Sequence, residues 1–405
     1  MSPDRLTRHF VLLRALRWLP VGVVLPFLVI IPQARGLSIG AVGAVFAVHS
    51  AVAIAFEVPS GALADALGRR QVMLVGALLT TFSLLVFGVA ESVPAFMVSV
   101  ALLATGRALI SGSLEAWYVD SLRLLDPVAP LARGLSRGAA AEGIAMAIGA
   151  LVGGAVVAIS GHYGAVAGAA AIAAVVYLVA VAVLVREAPR AHTESHLGAT
   201  IGRRTREVLR VARGEAAASP AVRIVFATGA AAGAALAAVE LLWQPRLEEL
   251  LDSGQSGGFV FGALGAGAMV AVAIGASLSP RAQRGLGLGA AYLATIGASA
   301  VAIAVLGLPE TAAAFAAVYL LVYFALGVSE PLHYQLLNEA VGSTARATLI
   351  SAESLAAQSG SLVANLGVGA FAASQGARAA WAVAGGLLAL TGALIAMPLR
   401  RVDGA

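Results

Sequence analysis

Ionisable side chains that lie inside long apolar segments are the residues of this chain best suited to chemistry. Glu115, Glu240, Glu330 and Arg107 all lie within or at the end of such segments. A charged group there is costly to bury, so each is a functional candidate by default. A carboxylate in a low-dielectric cavity can hold a proton near neutral pH and release it when water enters. We therefore expect one of the three glutamates to exchange protons.

Three positions within the apolar segments have two interpretations each. A histidine titrates near physiological pH, which suits a proton-coupling role for His49, but a hydrogen-bonded packing residue is the alternative. Arg107 either pairs with a neighbouring carboxylate and fixes packing, or binds an anionic group or tunes a proton-carrying Glu. Glu115 is either a partner in a local ion pair or a proton carrier. The sequence leaves these alternatives open.

A short run of small and charged residues, GALADALGRR, begins at Gly61 and joins two of the apolar segments. Each flanking segment is long enough to cross a bilayer as a helix. The run predicts a tight turn that makes the two helices antiparallel neighbours. Its glycines, Gly61 and Gly68, permit close backbone approach and unusual dihedral angles. Asp65, Arg69 and Arg70 are then expected together at one membrane surface.

The composition indicates that these segments belong to an all-α membrane protein. The chain has 405 residues, of which 60% are hydrophobic and 12% charged, and its mean hydropathy is +0.91. A soluble protein would carry about twice that charge. Apolar spans of about twenty residues or more predict twelve transmembrane helices. They cover 11–32, 38–64, 71–90, 94–119, 136–160, 164–185, 221–244, 257–279, 286–306, 311–336, 346–371 and 377–398.

The distribution of basic residues predicts the orientation of these spans. All 26 basic residues are arginine. When the N-terminus is placed in the cytoplasm, only Arg35, Arg246 and Arg378 fall outside, and Arg107 lies within a span. Such a bias follows from the cost of moving Arg across the membrane during insertion. Both termini are therefore expected in the cytoplasm.

One long polar connection, 186–220, divides the spans into six and six. We expect a six-helix half over 1–185, a cytoplasmic linker, and a second six-helix half over 221–405. Within the linker, Ile201, Val208, Leu209 and Ala212 fall on one helical face and arginines cover the remainder. This pattern predicts a basic amphipathic helix on the anionic inner leaflet, with a disordered charged linker as the alternative.

The run from Gly61 resembles the signature loop between helices two and three of the major facilitator superfamily, G-x-x-x-D-(R/K)-x-G-R-(R/K). The matching residues are Gly61, Asp65, Gly68, Arg69 and Arg70, preceded by Pro59 and Ser60 as in many bacterial drug-exporter-like members. Ala66 stands where the family motif has Arg or Lys. The stretch Thr105-Gly106-Arg107 is similar to the helix-four arginine motif of the same family.

This resemblance implies two six-helix pseudo-repeats that alternate access to a midplane site. It implies that Asp120 pairs with Arg69 or Arg70 in a cytoplasmic gate network. It also implies that Asp65 bonds to the start of helix eleven, near 343–346. Helices one, four, seven and ten line the cavity in the family. The substrate contacts or proton-coupling groups expected on helices seven and ten are therefore Glu240, Trp243, Gln244, Tyr319, Tyr323, Glu330 and His333.

Other chemistry lacks support in the sequence. The chain has no Cys, no metal-binding His spacing and no G-x-x-x-x-G-K-(S/T) phosphate loop. We expect neither an enzyme, nor a metal or cofactor, nor a nucleic-acid partner. The motifs favour a monomeric secondary transporter in the bacterial inner membrane that exports a lipophilic or cationic small molecule in exchange for protons.

Two alternatives to export are retained. One is proton-coupled uptake of a metabolite or sugar by the same alternating-access mechanism. The other is a non-transporting receptor or scaffold on the same fold. The intact signature motif, with Gly61, Asp65, Gly68 and Arg69, argues against the receptor, because a receptor has no need to cycle between conformations.

Overall fold

A computed structural model describes residues 2–187, 197–251, 257–340 and 346–402, and all regular secondary structure in these ranges is helical. A single 3₁₀ turn, Leu25–Phe27, interrupts the first span. The helices are α1 (Pro3–Val24), α2 (Ile30–Ala34), α3 (Ile39–Leu67), α4 (Arg69–Val89), α5 (Val93–Leu125), α6 (Leu131–Ser160), α7 (Ala165–Leu184), α8 (Leu197–Ala218), α9 (Pro220–Leu250), α10 (Gly257–Leu286), α11 (Leu288–Val305), α12 (Ala312–Ala340) and α13 (Arg346–Val402).

The number of transmembrane helices agrees with the prediction of twelve. Eleven helices in the described ranges are long and apolar enough to cross a membrane, and the last of these, Thr348–Ala396, has 49 residues. That stretch is twice the length of one span. It breaks at Gly376, whose φ of 84° and ψ of 160° are not helical. Residues on either side of Gly376 therefore form the eleventh and twelfth helices.

The turn predicted over the whole run from Gly61 to Arg70 was wrong. α3 continues to Leu67, and the connection consists of the single residue Gly68, with a φ of 99°. The intervening residues are mostly Ala and Leu, which are strong helix formers, so the helix has no reason to stop earlier. A Cβ built on Gly61 has no neighbour within 4 Å, whereas Gly68 adopts a backbone conformation that side chains disfavour.

The same one-glycine connection recurs in the second half of the chain. Gly287, with a φ of 82°, joins α10 to α11 as Gly68 joins α3 to α4. Three residues before Gly287 stands Arg284, whereas Asp65 stands three residues before Gly68. The two halves therefore share this backbone feature, but the acidic residue of the motif is present in only one of them.

The described chain divides into two compact units. Unit 1 comprises Met1–Ile31, Val52–Thr205 and Gly258–Ala266. Unit 2 comprises Pro32–Ala51, Arg206–Gly257 and Gly267–Ala405. Each unit combines most of one half of the sequence with shorter segments from the other half. The division into 1–185, 186–220 and 221–405 stays a prediction.

The core of unit 1 forms where α1 packs against α6 and α7, and α4 against α5 and α7. Phe10 and Tyr118 stack with ring centroids 4.2 Å apart and are almost fully buried. α4 and α5 cross at Gly76 and Gly106, where a Cβ on either glycine would lie within 3 Å of the other's carbonyl oxygen. Small residues at such crossings let membrane helices approach closely.

Unit 2 is built around the contact of α9 with α13, and α11 packs against both α12 and α13. The indole of Trp381 is fully buried, and its Nε1 donates a hydrogen bond of 3.1 Å to the carbonyl of Ala238. Because a lipid environment offers no partner for a buried indole N–H, this bond fixes α13 against α9.

The linker contains the helix that the sequence predicts, α8, over Leu197–Ala218. The remainder of the polar connection, 188–196, lies outside the described residues. Val208 and Ala212 are partly buried, and Leu209 is exposed. The placement of this helix on the inner leaflet stays a prediction.

Candidate functional site

The signature motif forms an ion pair between two helices of unit 1. Nη2 of Arg69, at the start of α4, lies 2.8 Å from Oδ2 of Asp120, near the end of α5. The predicted contact of Asp120 with the motif is therefore present, and Arg69 rather than Arg70 makes it. Asp65 is more distant, with its Oδ1 3.9 Å from Arg69 Nη2. The gate role of these residues stays a prediction.

Arg70 and Glu187 cap each other's helices. The side chain of Arg70 donates to the carbonyls of Ala182 (2.9 Å) and Val185 (3.0 Å) at the end of α7. In return, the carboxylate of Glu187 accepts from the backbone N–H groups of Arg69 (2.7 Å) and Arg70 (3.2 Å). Cations suit helix C-termini and anions suit N-termini, so both contacts match the helix dipoles.

The capping carboxylate was missed by the sequence reasoning. Glu187 is 117 residues from Arg70 along the chain, and no local pattern links them. Its position, directly after the apolar run of α7, was the available signal. The predicted partner of Asp65 at the start of helix eleven falls on 343–345, which lie outside the described residues, and on Arg346.

A second polar cluster lies inside unit 1. Arg14 bonds two carboxylates at once, with Nη1 2.9 Å from Glu115 Oε1 and Nε 2.9 Å from Glu142 Oε2. Arg17 Nη1 lies 3.9 Å from the same Glu115 oxygen. All four side chains are no more than 30% exposed. Of the two interpretations of Glu115, the local ion pair is the one present in the structure.

Arg107 has no ion-pair partner among the described residues and instead lies over an aromatic ring. Its Cζ is 5.4 Å from the ring centroid of Trp18, and that of Arg17 is 5.5 Å from the same ring. A guanidinium at this distance is attracted by the negative face of the ring. The arginines and Trp18 of α1 were not among the predicted site residues, although Arg14 and Arg17 lie within the first predicted span.

Unit 2 holds Glu240 in an aromatic setting. The hydroxyl of Tyr323 donates to Glu240 Oε1, and Nε1 of Trp243 lies 3.3 Å from Oε2. Tyr319 packs between these donors, with ring centroids 4.9 Å from Trp243 and 4.8 Å from Tyr323. The three rings are buried, whereas Glu240 keeps part of its surface exposed. The structure thus brings together four residues that the sequence marked as candidates.

Unit 2 holds a further polar network, of which the sequence marked only His333 as a candidate. Tyr292, on α11, contacts Thr228 on α9 and His333 on α12, and His333 contacts Glu353 on α13. These residues line a cavity of about 310 Å³, together with Glu330. In the sequence, His333 and Glu353 each interrupt an apolar span, but nothing indicates that the two side chains meet.

Two further candidates are Glu330 and His49. Glu330 is exposed at the rim of the cavity, and His49 lies partly buried in the portion of α3 that belongs to unit 2. Within the described ranges, no group of three or more His, Asp or Glu is placed to hold a metal. The proton-exchange role expected of Glu115, Glu240 or Glu330 stays a prediction.

Comparison with known proteins identifies the family. The family model of the Major Facilitator Superfamily matches residues 10–364. The nucleoside transporter NupG superposes with a TM-score of 0.76 at 13% identity, covering 97% of this chain and 98% of that one. The peptide transporter POT in complex with sulfate gives 0.74 at 15% identity, covering 100% and 96%. At these identities the structures share the fold alone.

No curated relative matches the chain at a significant level. The family model nevertheless covers most of the sequence, including every predicted gate residue. The twelve membrane-spanning helices and the one-glycine connections agree with it. The chain therefore belongs to the Major Facilitator Superfamily, and it is a membrane transporter rather than an enzyme.

Proposed function

We propose that the chain is a monomeric exporter of lipophilic, cationic small molecules that exchanges them for protons across a bacterial inner membrane. The observation that carries this proposal is Glu240, a partly exposed carboxylate held by Tyr323 and Trp243. An anionic group bordered by aromatic rings favours an organic cation over a sugar, because the carboxylate attracts the charge and the rings attract the apolar part.

The two donors also explain why Glu240 is suited to bind a cation. The Tyr323 hydroxyl and the Trp243 N–H each occupy one carboxylate oxygen and hold the group in a fixed orientation. A carboxylate offers about four acceptor positions, so others remain for a ligand. A preorganised acceptor loses less conformational entropy on binding than a mobile one.

The orientation of the chain is part of the same proposal. The arginine bias along the sequence supports cytoplasmic termini. Export then requires that the substrate leaves from the opposite side, by alternating exposure of a central site. The signature motif supports this cycle, because its ion pair between Arg69 and Asp120 can break and re-form.

The proposal is tested by transport into proteoliposomes with the membrane potential clamped at zero. An acidic interior should drive accumulation of tetraphenylphosphonium, because exchange sends protons out as the cation enters. Glu240→Gln should weaken the apparent affinity about tenfold or more, since hydrogen bonds to charged groups contribute about 1.5–3 kcal/mol. Glu248→Gln, an exposed change on the same helix, is the matched control and should behave as the wild type.

Other outcomes would support the alternatives. Accumulation of a neutral sugar or metabolite driven by an acidic exterior would contradict export and support proton-coupled uptake. Saturable binding of a ligand without transport under either gradient would support a receptor. Unchanged affinity in Glu240→Gln would remove the assignment of Glu240 to the substrate.

A further inference from the structure

The polar network of unit 2 has a fixed direction of hydrogen bonding. The hydroxyl of Thr228 donates to the carbonyl of Ile224 at 2.8 Å, so its oxygen can only accept from Tyr292 OH, which lies 2.9 Å away. Tyr292 has one proton, and this bond uses it. The contact of 2.7 Å between Tyr292 OH and Nδ1 of His333 must therefore have the imidazole as donor.

The direction of that bond determines what His333 and Glu353 hold between them. With Nδ1 protonated, the 3.1 Å contact from Nε2 of His333 to Oε1 of Glu353 needs one further proton. The proton resides either on Nε2, as imidazolium beside carboxylate, or on Oε1, as neutral imidazole beside carboxylic acid. Both arrangements have zero net charge. We call these two residues the His–Glu pair.

Burial makes the loss of this proton costly. The side chains of His333 and Glu353 are 13% and 10% exposed. Without the proton, a carboxylate would stand beside a neutral imidazole, and an uncompensated charge at such a site is strongly unfavourable. Glu353 packs closely against α9 at Gly229, where an added Cβ would lie only 2.8 Å from Glu353 Oε1. A positive charge that arrives as the proton leaves would offset this cost.

The cavity beside the pair has room for that charge and no residue to supply it. Its volume is about 310 Å³, enough for part of a small organic molecule. The ionisable side chains that face the pair are Tyr292 from α11 and Glu330 and Tyr334 from α12, while α9 contributes the uncharged Thr228 and Gly229. No arginine is among the described residues that line this cavity.

We propose that the His–Glu pair holds the proton that drives transport, and that a cationic group of the substrate replaces this proton when it occupies the cavity. On release, the proton between Nε2 and Oε1 passes to water in the cavity, the pair becomes anionic, and the cation restores neutrality. The exchange is one proton for one positive charge. This inference rests on the proposed function and assigns its coupling step to a pair of which the sequence marked only His333, as a substrate contact.

The pair is distinct from the position at Glu240. Thr228, which faces the pair, and Glu240 lie on the same helix, roughly 18 Å apart along its axis at 1.5 Å per residue. A substitution at Glu240 should therefore change recognition of the cation, whereas a substitution in the pair should change the proton count. This separation lets one experiment distinguish the two assignments.

The experiment measures proton release when tetraphenylphosphonium is added to purified, weakly buffered protein in detergent. Wild-type protein should release about one proton for each cation bound, as proton linkage requires. Glu353→Gln removes the acidic group of the pair, so it should bind the cation more weakly and release no proton at saturation. Glu240→Gln should need more cation and then release the full amount. Glu339→Gln, an exposed change on α12, is the control and should match the wild type.

Full proton release in Glu353→Gln would overturn the inference, even where wild-type transport under a pH gradient continues to support the proposed function. Cation binding to the wild type without proton release would also overturn it. Failure of the wild type to bind any lipophilic cation would instead contradict the proposed function itself.

Should Glu353→Gln not fold, infrared difference spectra of wild-type protein with and without cation test the same step. A change in carboxyl or imidazole protonation bands is expected, and its absence would contradict the inference.

Discussion

Nη2 of Arg69 lies 2.8 Å from Oδ2 of Asp120, so the residue that follows the one-glycine connection is tied to the last turns of α5. Arg69 is only 14% exposed, whereas Asp120 is half exposed. The pair thus lies at a rim, with one partner inside the helix packing and one open to solvent. Such a charge-assisted bond is stronger than a fully exposed ion pair and still able to break during a cycle.

The first prediction concerns this ion pair. Arg69→Asp and Asp120→Arg should each lower the transport rate about tenfold, because a charge-assisted bond contributes about 1–3 kcal/mol and 1.4 kcal/mol is a factor of ten. The double exchange should recover much of that loss. Asp65→Asn should also slow cycling and favour the state open to the cytoplasm. Transport by all variants at equal expression is the measurement.

Charge reversal at Glu91, an exposed residue that follows α4, serves as the control for the first prediction. No recovery in the double exchange would show that the contact of 2.8 Å does not contribute to the cycle. Normal transport in every variant would show that the motif is only a folding element.

The second prediction concerns the cap of α4. Glu187→Ala leaves the backbone N–H groups of Arg69 and Arg70 without their carboxylate partner. Loss of an N-terminal cap costs about 0.5–2 kcal/mol, so the thermal unfolding midpoint in detergent should fall. Glu91→Ala removes an exposed carboxylate of the same type and should leave the midpoint unchanged. Equal midpoints for the two variants would contradict the capping role.

The third prediction separates structural from coupling roles among the carboxylates. Glu115→Gln should lower the free energy of unfolding by about 1–3 kcal/mol, because it weakens a charged hydrogen bond to Arg14. Exchange driven by a pH gradient should persist in this variant. Loss of that exchange with unchanged stability would make Glu115 the proton carrier, the other interpretation that its sequence position allows.

The fourth prediction concerns the orientation in the membrane. The chain has no Cys, so single cysteines can be introduced without interference. Cysteines at Ser92 and Glu310 should react with an impermeant maleimide added to intact cells. Cysteines at Asp126 and Gly285 should react only after the cells are opened. Labelling of the second pair from outside would contradict cytoplasmic termini.

The sequence predicted the helices well because span length and apolarity are local properties. The predicted span 164–185, for example, differs from α7 by one residue at each end. It did not predict that α1 begins at Pro3, where Ser2 accepts a hydrogen bond of 3.4 Å from the N–H of Arg5. The charged residues at this end kept the predicted apolar span from reaching the start of the helix. Ser2 caps the helix and Pro3 begins it, before the apolar stretch.

Site residues could be predicted where a motif or an interrupted apolar span marks them, but not where two helices bring them together. Arg69 and Asp120 could be paired through a motif, and Glu240 was marked because it interrupts an apolar span. The contact between His333 and Glu353 depends on how α12 packs against α13, and the two residues are 20 positions apart with a helix boundary between them. No spacing rule links such residues, so only the structure shows that they lie within hydrogen-bonding distance.

The central claim, exchange of a cation for protons, is tested most directly by the internal pH of proteoliposomes. A trapped pH indicator reports protons while tetraphenylphosphonium is added outside, with the membrane potential clamped and no initial pH gradient. The account predicts that the interior becomes more alkaline as the cation enters, and that Glu353→Gln abolishes this change. Entry of the cation with no change in pH, or with acidification of the interior, would contradict it.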